Sequence, residues 1–511
     1  MARDDQVWPP HGPRGALRPL AEQAFARAAG APLVGGNSVR LLRDAGEHFP
    51  AMLAAIDAAT EAVAVEAYIF ADDPLGRRFA DALSARARAG VKVRVLHDWY
   101  GSLGEARSGF WRRMAHDGVE VRTFNPPRLD SPLGWVGRDH RKLLVVDGTV
   151  GFVTGVCIAQ RWEGDPARGI EPWRDTGVEI RGPAVADLWR GFAASWAEAG
   201  APLPAGEPRA HASIPECGGV ALRVIATEPS TSGVFRMDQL VAALARRTLW
   251  ITDAYFVGTA AYVQALRSAA ADGVDVRILV PGESDLMLVK RLSVAGYRPL
   301  LEAGVRIFEW QGSMIHAKSA VADGRWARVG SSNLNLSSWV ANWELDVAVE
   351  DELFAAELED AFLADLSRAT EVVLGARRRW RRRRRLESEG EAPRPRPRRP
   401  REGSAVAAAG ALRLGRAVGA AIGGSRLLGP AESRLLVVAA VVLAVLAALL
   451  VAFPRVLATP AALFAAWMAL GLGVRARRLR KAAAREREAR PVEAAPAPAA
   501  PAPEGPEKRA G

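Results

Sequence analysis

Two histidines in this chain are each followed two residues later by a lysine and, five residues further on, by an Asp-Gly pair. They are His140, Lys142 and Asp147 in HRKLLVVDGTVGFVTGVC, and His316, Lys318 and Asp323 in HAKSAVADGRWARVGSSN. Side chains at i and i+2 of a strand share a face, and Asp-Gly before an apolar run is a hairpin turn, so each copy offers one imidazole and one ammonium to the same space. A lone histidine near a strand is most often a hydrogen-bonded core or surface residue. A second copy in the same register argues against that here. The set suits phosphoryl chemistry: one neutral imidazole attacks phosphorus, the other, protonated, donates to the departing alkoxide, and two lysines neutralise the phosphate oxygens. Neither motif carries a His/Cys/carboxylate cluster at ligand spacing, so no metal and no cofactor is expected. Asp147 and Asp323 sit in the turns at an odd offset from their histidines; among the candidate catalytic residues, their expected work is to fix the hairpins by local hydrogen bonds.

The elements that must position these groups also occur twice. AVAVEAYIF (62–70) corresponds to LWITDAYFV (249–257), GVKVRVL (90–96) to GVDVRIL (273–279), and GVEVRTF (118–124) to GVRIFEW (304–310). RRFADALSARARA and AAYVQALRSAAAD, between the first two strands of each set, carry apolar residues at helical spacing. Strand, helix, strand order with Gly closing each helix predicts an α/β fold of two pseudo-symmetric lobes, each a mixed β-sheet flanked by helices.

With those residues in view, the chain resembles the phospholipase D superfamily, whose motif reads H-x-K-x4-D-x6-G-[GS]-x-N. The second copy matches it through Gly330, Ser331 and Asn333; the first has Thr154, Gly155 and Cys157 at the corresponding positions. Within the superfamily, GNSVRLLRDAGEHFPAMLAAI, EAYIFADDPLGRRF and VGSSNLNLSSWVANWELDV are similar to the bacterial cardiolipin synthase branch. The resemblance spans roughly residues 36 to 370. It implies a site at the junction of the lobes and a carboxylate after each motif that orients a histidine. That role falls to Glu344 for His316 and to Asp175 for His140, both expected on short alternating strands. It also implies phosphate contacts from Asn333, Ser331, Thr154 and Asn342. Cys157, standing where the motif has Asn, is expected to pack as a small apolar group.

Charge divides the chain. Its total is +11, composed of +18 over 377–511 and −7 over 1–376, so the catalytic region is acidic and lacks the basic footprint of a nuclease. Two cysteines, Cys157 and Cys217, give no disulfide framework. Residues 1–35, without an apolar leader run, look like a flexible extension; 36–212 and 213–376 are the two lobes. Residues 377–433 are an Arg/Pro-rich linker, 434–475 hold two uncharged nineteen-residue runs broken by Pro454 and Arg455, and 476–511 are a basic and then Pro/Ala-rich tail. Each run is long enough to cross about one hydrocarbon core, which makes a C-terminal transmembrane helical hairpin.

The resemblance therefore implies a membrane-bound phosphatidyltransferase working through a phosphohistidine, with phosphatidylglycerol as anionic lipid substrate, a bacterial membrane as partner and no nucleic acid. Hydrolysis by a phospholipase D or nuclease, and a non-catalytic scaffold, are the alternatives. Arginines flank the hairpin on both sides, which places the lobes in the cytoplasm at the inner membrane. A reporter fused after residue 511 is expected to be cytoplasmic and one inserted at Arg455 periplasmic; two cytoplasmic reporters would refute the hairpin.

Overall fold

The computed structural model describes residues 22–127, 137–204, 206–207, 211–229 and 231–374, with 459 and 466–467. The expected transmembrane pair, the Arg/Pro linker and the tail lie outside the described residues. Among the described residues, no helix is long and apolar enough to cross a membrane.

Among the described residues, fifteen strands form one mixed sheet. In chain order they are β1 (Val34–Arg43), β2 (Ala62–Ala67), β3 (Lys92–Asp98), β4 (Glu120–Phe124), β5 (Lys142–Val146), β6 (Val150–Thr154), β7 (Thr176–Arg181), β8 (Val220–Thr227), β9 (Thr248–Asp253), β10 (Asp275–Pro281), β11 (Arg306–Trp310), β12 (Lys318–Ala322), β13 (Trp326–Gly330), β14 (Glu344–Glu350) and β15 (Ala369–Val372). Their spatial order is β15-β11-β10-β9-β12-β13-β14-β8-β1-β7-β6-β5-β2-β3-β4. Read outward from the centre, β8-β14-β13-β12-β9-β10-β11 mirrors β1-β7-β6-β5-β2-β3-β4. The repeat in the sequence is thus a repeat in space, and the two half-sheets join through the antiparallel β1·β8 pair.

The parallel strands β2 and β3 are joined by the helix Pro74–Arg88, and β9 and β10 by Ala260–Ala271. Asp73 caps the first of these, accepting from the Gly76 amide at 2.8 Å, with Pro74 at the first helical position, where its missing N–H costs nothing. Thr259 caps the second. One face of the sheet is covered by separate cores in each half. The other face carries a core that crosses the junction under Val185–Glu198 and Glu352–Leu366. Because both faces are covered, β5 and β12 are buried along their lengths, and β14 is buried up to Val349 instead of alternating as expected. Residues 22–29, assigned by composition to a flexible extension, form a helix whose Phe25 and Ala29 pack on the second half.

Both motif hairpins form as expected, β5 with β6 and β12 with β13. Asp147 and Gly148 have φ of 52° and 63°, Asp323 and Gly324 of 54° and 65°, the left-handed pair at the centre of a type I′ turn. The aspartates do more than shape their own turns, and what they do is not local. Asp147 accepts from the amides of Thr60, Glu61 and Ala62 at 2.8–2.9 Å, and Asp323 from those of Arg246, Arg247 and Thr248, each tying its hairpin to the start of the neighbouring strand. Both lie at the end of the strand away from the histidine, so their placement among catalytic residues is corrected to a positioning role.

Partial burial of Asp147 works against its charge, but the amides of Ala62, Thr60 and Glu61 outweigh it and hold the carboxyl below the usual range. Its folded value is below its unfolded one, so this stabilisation is present at neutral pH and is lost as pH falls through the folded value. Asp147→Ala is expected to cost about 2 kcal/mol or more of stability at pH 7. The deficit should shrink below about pH 4. Denaturant titrations at the two pH values check this; an equal deficit at both would contradict it.

Candidate active site

The histidines do not lie on the strands. Each lies two residues before one, His140 before β5 and His316 before β12, and there each segment crosses to the other half. The His140 amide donates to the Trp343 carbonyl at 2.9 Å and the Trp343 amide returns a bond to Arg138 O at 2.8 Å. Symmetrically, His316 N donates to Arg174 O at 2.7 Å and Arg174 N to Met314 O at 2.9 Å. Two isolated parallel bridges, Asp139 with Trp343 and Arg174 with Ile315, result. The residue after each bridged partner is a carboxylate: Glu344 after Trp343 and Asp175 after Arg174.

That geometry reverses the expected pairing. His140 Nδ1 lies 2.9 Å from Glu344 Oε2, and His316 Nδ1 lies 2.9 Å from Asp175 Oδ2. Each histidine is therefore held by the carboxylate of the opposite half, because the bridges set motif and carboxylate segments side by side across the junction. His140 Nε2 is left for a ligand, whereas His316 Nε2 is met by Lys318. Both carboxylates are fully buried. Burial alone raises them, but the bond from His316, its charge and that of Lys318 hold Asp175 well below the carboxylate range. Glu344 is lowered likewise, against its burial, by His140 and then Lys142.

Lys142 Nζ donates to the His140 carbonyl at 2.6 Å and lies 5.3 Å from the centre of the Tyr68 ring. Lys318 Nζ bonds the His316 carbonyl and lies 3.0 Å from His316 Nε2. Burial, and then the adjacent Lys318 charge, lower His316 to about 3. Burial brings Lys318 down to about 8 despite Asp175. His140 is lowered by burial while Glu344 pulls the other way.

His140, Lys142 and His316 open on one cavity of about 620 Å³, whose walls also include Tyr68, Arg138, Cys157, Arg161, Trp162, Trp173, Tyr255, Asn333 and Asn342. Asn333 is buried and its amide oxygen has no protein partner, which suits a residue kept for a ligand. Asn342 lines the cavity and donates to Glu344 Oε1 at 3.3 Å. Ser331 and Thr154 were expected at substrate and are corrected: Ser331 Oγ donates to Glu344 Oε2 at 2.6 Å, and Thr154 Oγ1 to the Val156 carbonyl at 3.1 Å. Gly155, the counterpart of Ser331, leaves room for Asp175, whose Oδ1 would lie 1.9 Å from a β-carbon there. Asp175 takes its extra bond from the Trp162 indole instead, at 3.1 Å. Cys157 is buried in the cavity wall as an apolar group, its thiol pushed up by burial.

Sequence reasoning missed Tyr68 and Tyr255, although the aligned repeats set them opposite each other; their rings stand edge-on to His140 and His316 at 4.9 and 5.8 Å. It also missed Arg141. Fully buried, this residue reaches across the junction to the carbonyls of Glu344 and Thr227, both at 3.1 Å, and within its own half to that of Gly191 at 2.8 Å.

Since His316 is neutral in the empty site, an entering anion that favours its protonated form must take up a proton. Sulfate, whose own charge is constant in this range, is expected to bind more tightly by up to about tenfold per pH unit as pH falls from 6.5 towards 5. Quenching of Trp162 and Trp173 reads the affinity; a pH-independent affinity would contradict the assignment.

Comparisons with known proteins bear on the family and the fold. The family model described as "Cardiolipin synthase, PLD-like domain" matches residues 52–161 and 241–366, one segment in each half. Cardiolipin synthase A of Pseudomonas aeruginosa is 36% identical over 365 residues, covering 70% of this chain and 73% of the relative. That of Pseudomonas entomophila is 34% identical over 363 residues, covering 69% and 73%. Among solved structures, phosphatidylserine synthase of Haemophilus influenzae superposes with a TM-score of 0.55 at 14% identity, over 73% of this chain and 98% of that one, which supports the fold. This chain belongs to the cardiolipin synthase family of phospholipase D-like enzymes.

Proposed function

We propose that this enzyme is a cardiolipin synthase that transfers a phosphatidyl group through a phosphohistidine, joining two phosphatidylglycerols and releasing glycerol. The observation that carries the reading is the pair of carboxylate-bound imidazoles, each beside a buried lysine, at one cavity. His140 Nε2 forms a bond to phosphorus as the bond from phosphorus to the glycerol oxygen breaks, and His316 Nε2 gives that oxygen its proton. A second phosphatidylglycerol then enters. Its hydroxyl returns a proton to His316 as the oxygen bonds phosphorus and His140 leaves. Glu344 balances the charge on His140 once it is phosphorylated, Lys142 and Lys318 neutralise the phosphate oxygens, and the Asn333 amide N–H donates to one of them. Lys318, 3.0 Å from His316 Nε2, is placed to keep a proton near the acid while substrate charge builds up. No metal enters these steps.

The boundaries of the two lobes, 36–212 and 213–376, and the anchoring of the enzyme in the bacterial inner membrane by residues 434–475, lobes towards the cytoplasm, belong to the same proposal. The apolar runs and their arginine flanks support it. The acidic balance of residues 1–376 speaks for a lipid over a nucleic acid.

Full-length protein given labelled phosphatidylglycerol is expected to yield cardiolipin and glycerol in equal amounts, and His140→Ala and His316→Ala each to lose turnover by at least about a thousandfold. A trapped phosphoryl group should map to His140. Phosphatidic acid as the main product would make water the acceptor, and label on His316 alone would exchange the two roles.

A further inference from the structure

The helix Met287–Ala303 is buried only along one line of residues from Ser293 onward, through Ser293, Tyr297 and Leu300. Its first half and the residue before it expose Leu286, Met287, Leu288, Leu292 and Val294, with Met287 60% and Leu288 71% accessible. Leu336, 63% accessible, and Val340 are exposed on the short helix Leu336–Val340. These apolar residues are not scattered, since Leu286, Val289, Leu292 and Leu336 also line the active-site cavity. The patch is thus the apolar rim of the site's mouth. Lys290 and Arg291 lie within the same stretch and form no ion pair with any described residue, and no acidic residue occurs between Leu286 and Leu301. A contiguous exposed apolar surface with interspersed basic side chains suits the headgroup boundary of an anionic bilayer.

We infer that this rim, residues 286–294 with Leu336 and Val340, docks the catalytic lobes on an anionic phospholipid bilayer so that a substrate headgroup passes from the membrane directly into the cavity. The inference rests on the phosphatidyl-transfer reading for its purpose, and it explains why the mouth is apolar. A lipid drawn partly from a bilayer keeps its acyl chains in apolar surroundings only if the wall beside the membrane is itself apolar. A protein or a second copy seated on the same surface would cover the entrance that the substrate needs.

The test uses the full chain. Met287 and Leu288 are not among the residues lining the cavity, so Met287→Glu/Leu288→Glu disturbs the rim and leaves the chemistry in place. Turnover of long-chain phosphatidylglycerol in vesicles is expected to fall at least about tenfold. Turnover of short-chain phosphatidylglycerol dispersed below its micellar concentration should stay within about twofold, as the site itself is intact. Leu288→Trp, apolar and suited to the interface, should retain vesicle activity. Equal losses on both substrates, or none on either, would overturn the inference, as would light scattering that shows a dimer dissociated by the double substitution. A second readout does not depend on catalysis. A fluorophore on Leu288→Cys, in a Cys217→Ser background, should be quenched by nitroxide lipids in phosphatidylglycerol nanodiscs. No quenching there refutes docking even if cardiolipin is made, and quenching without any cardiolipin refutes the transfer reading while docking stands.

Discussion

Each catalytic-motif histidine is held by a carboxylate that the other half of the molecule supplies, and the rest of the site follows from that exchange. A histidine whose Nδ1 is bonded to a carboxylate has its other nitrogen and its ring plane set. Here that bond also spans the junction: His140 to Glu344 and His316 to Asp175, each at 2.9 Å. Neither half alone presents an oriented imidazole. The two parallel bridges that bring motif and carboxylate segments together are short, so they need support from behind. Arg141 provides it on one side through three carbonyls of the opposite half and its own. On the other, Arg174 bonds Asp365 at 2.8 Å and Thr176 at 3.0 Å.

The pseudo-symmetry is broken where chemistry asks the two sides for different things. Glu344 receives a serine hydroxyl and Asp175 an indole N–H. Asn333 keeps an uncommitted amide in the cavity, whereas Cys157, its counterpart, adds apolar surface. His316 is flanked by Trp162 and Trp173, and His140 by Tyr68. The drier, more crowded side is also the side on which a lysine lies against the imidazole, and there the free ring is most strongly neutral. One fold, duplicated, has in this way been given two unequal half-sites around one phosphorus-sized space.

Much of this was legible in the sequence because duplication repeats its own evidence. The register of His, Lys and Asp-Gly located both hairpins, and the order of strand and helix patterns located the half-sheets. What the pattern did not carry was anything that depends on contact between the halves. Glu344 and Asp175 stood out as acids beside apolar strands, yet their assignment to histidines went to the wrong partners, since spacing along a chain says nothing about which segment crosses a junction. Read as a line, the motif puts Ser331 and Thr154 at the phosphate, while in space their hydroxyls face a carboxylate and a carbonyl. Arg141 gave no signal at all: an arginine between two motif residues looks solvated until the fold buries it. The helix over 22–29 was missed for a similar reason, its stability coming from packing on a distant half.

The exchange itself is open to direct measurement by nitrogen NMR of the full chain labelled on histidine, with His140 and His316 assigned from their alanine variants. Glu344→Gln should shift the Nδ1 resonance of His140 and leave that of His316 unmoved, and Asp175→Asn should do the reverse. If Glu344→Gln perturbed His316 while His140 stayed unchanged, the carboxylates would serve their own halves, and the account of a site assembled across the junction would be wrong.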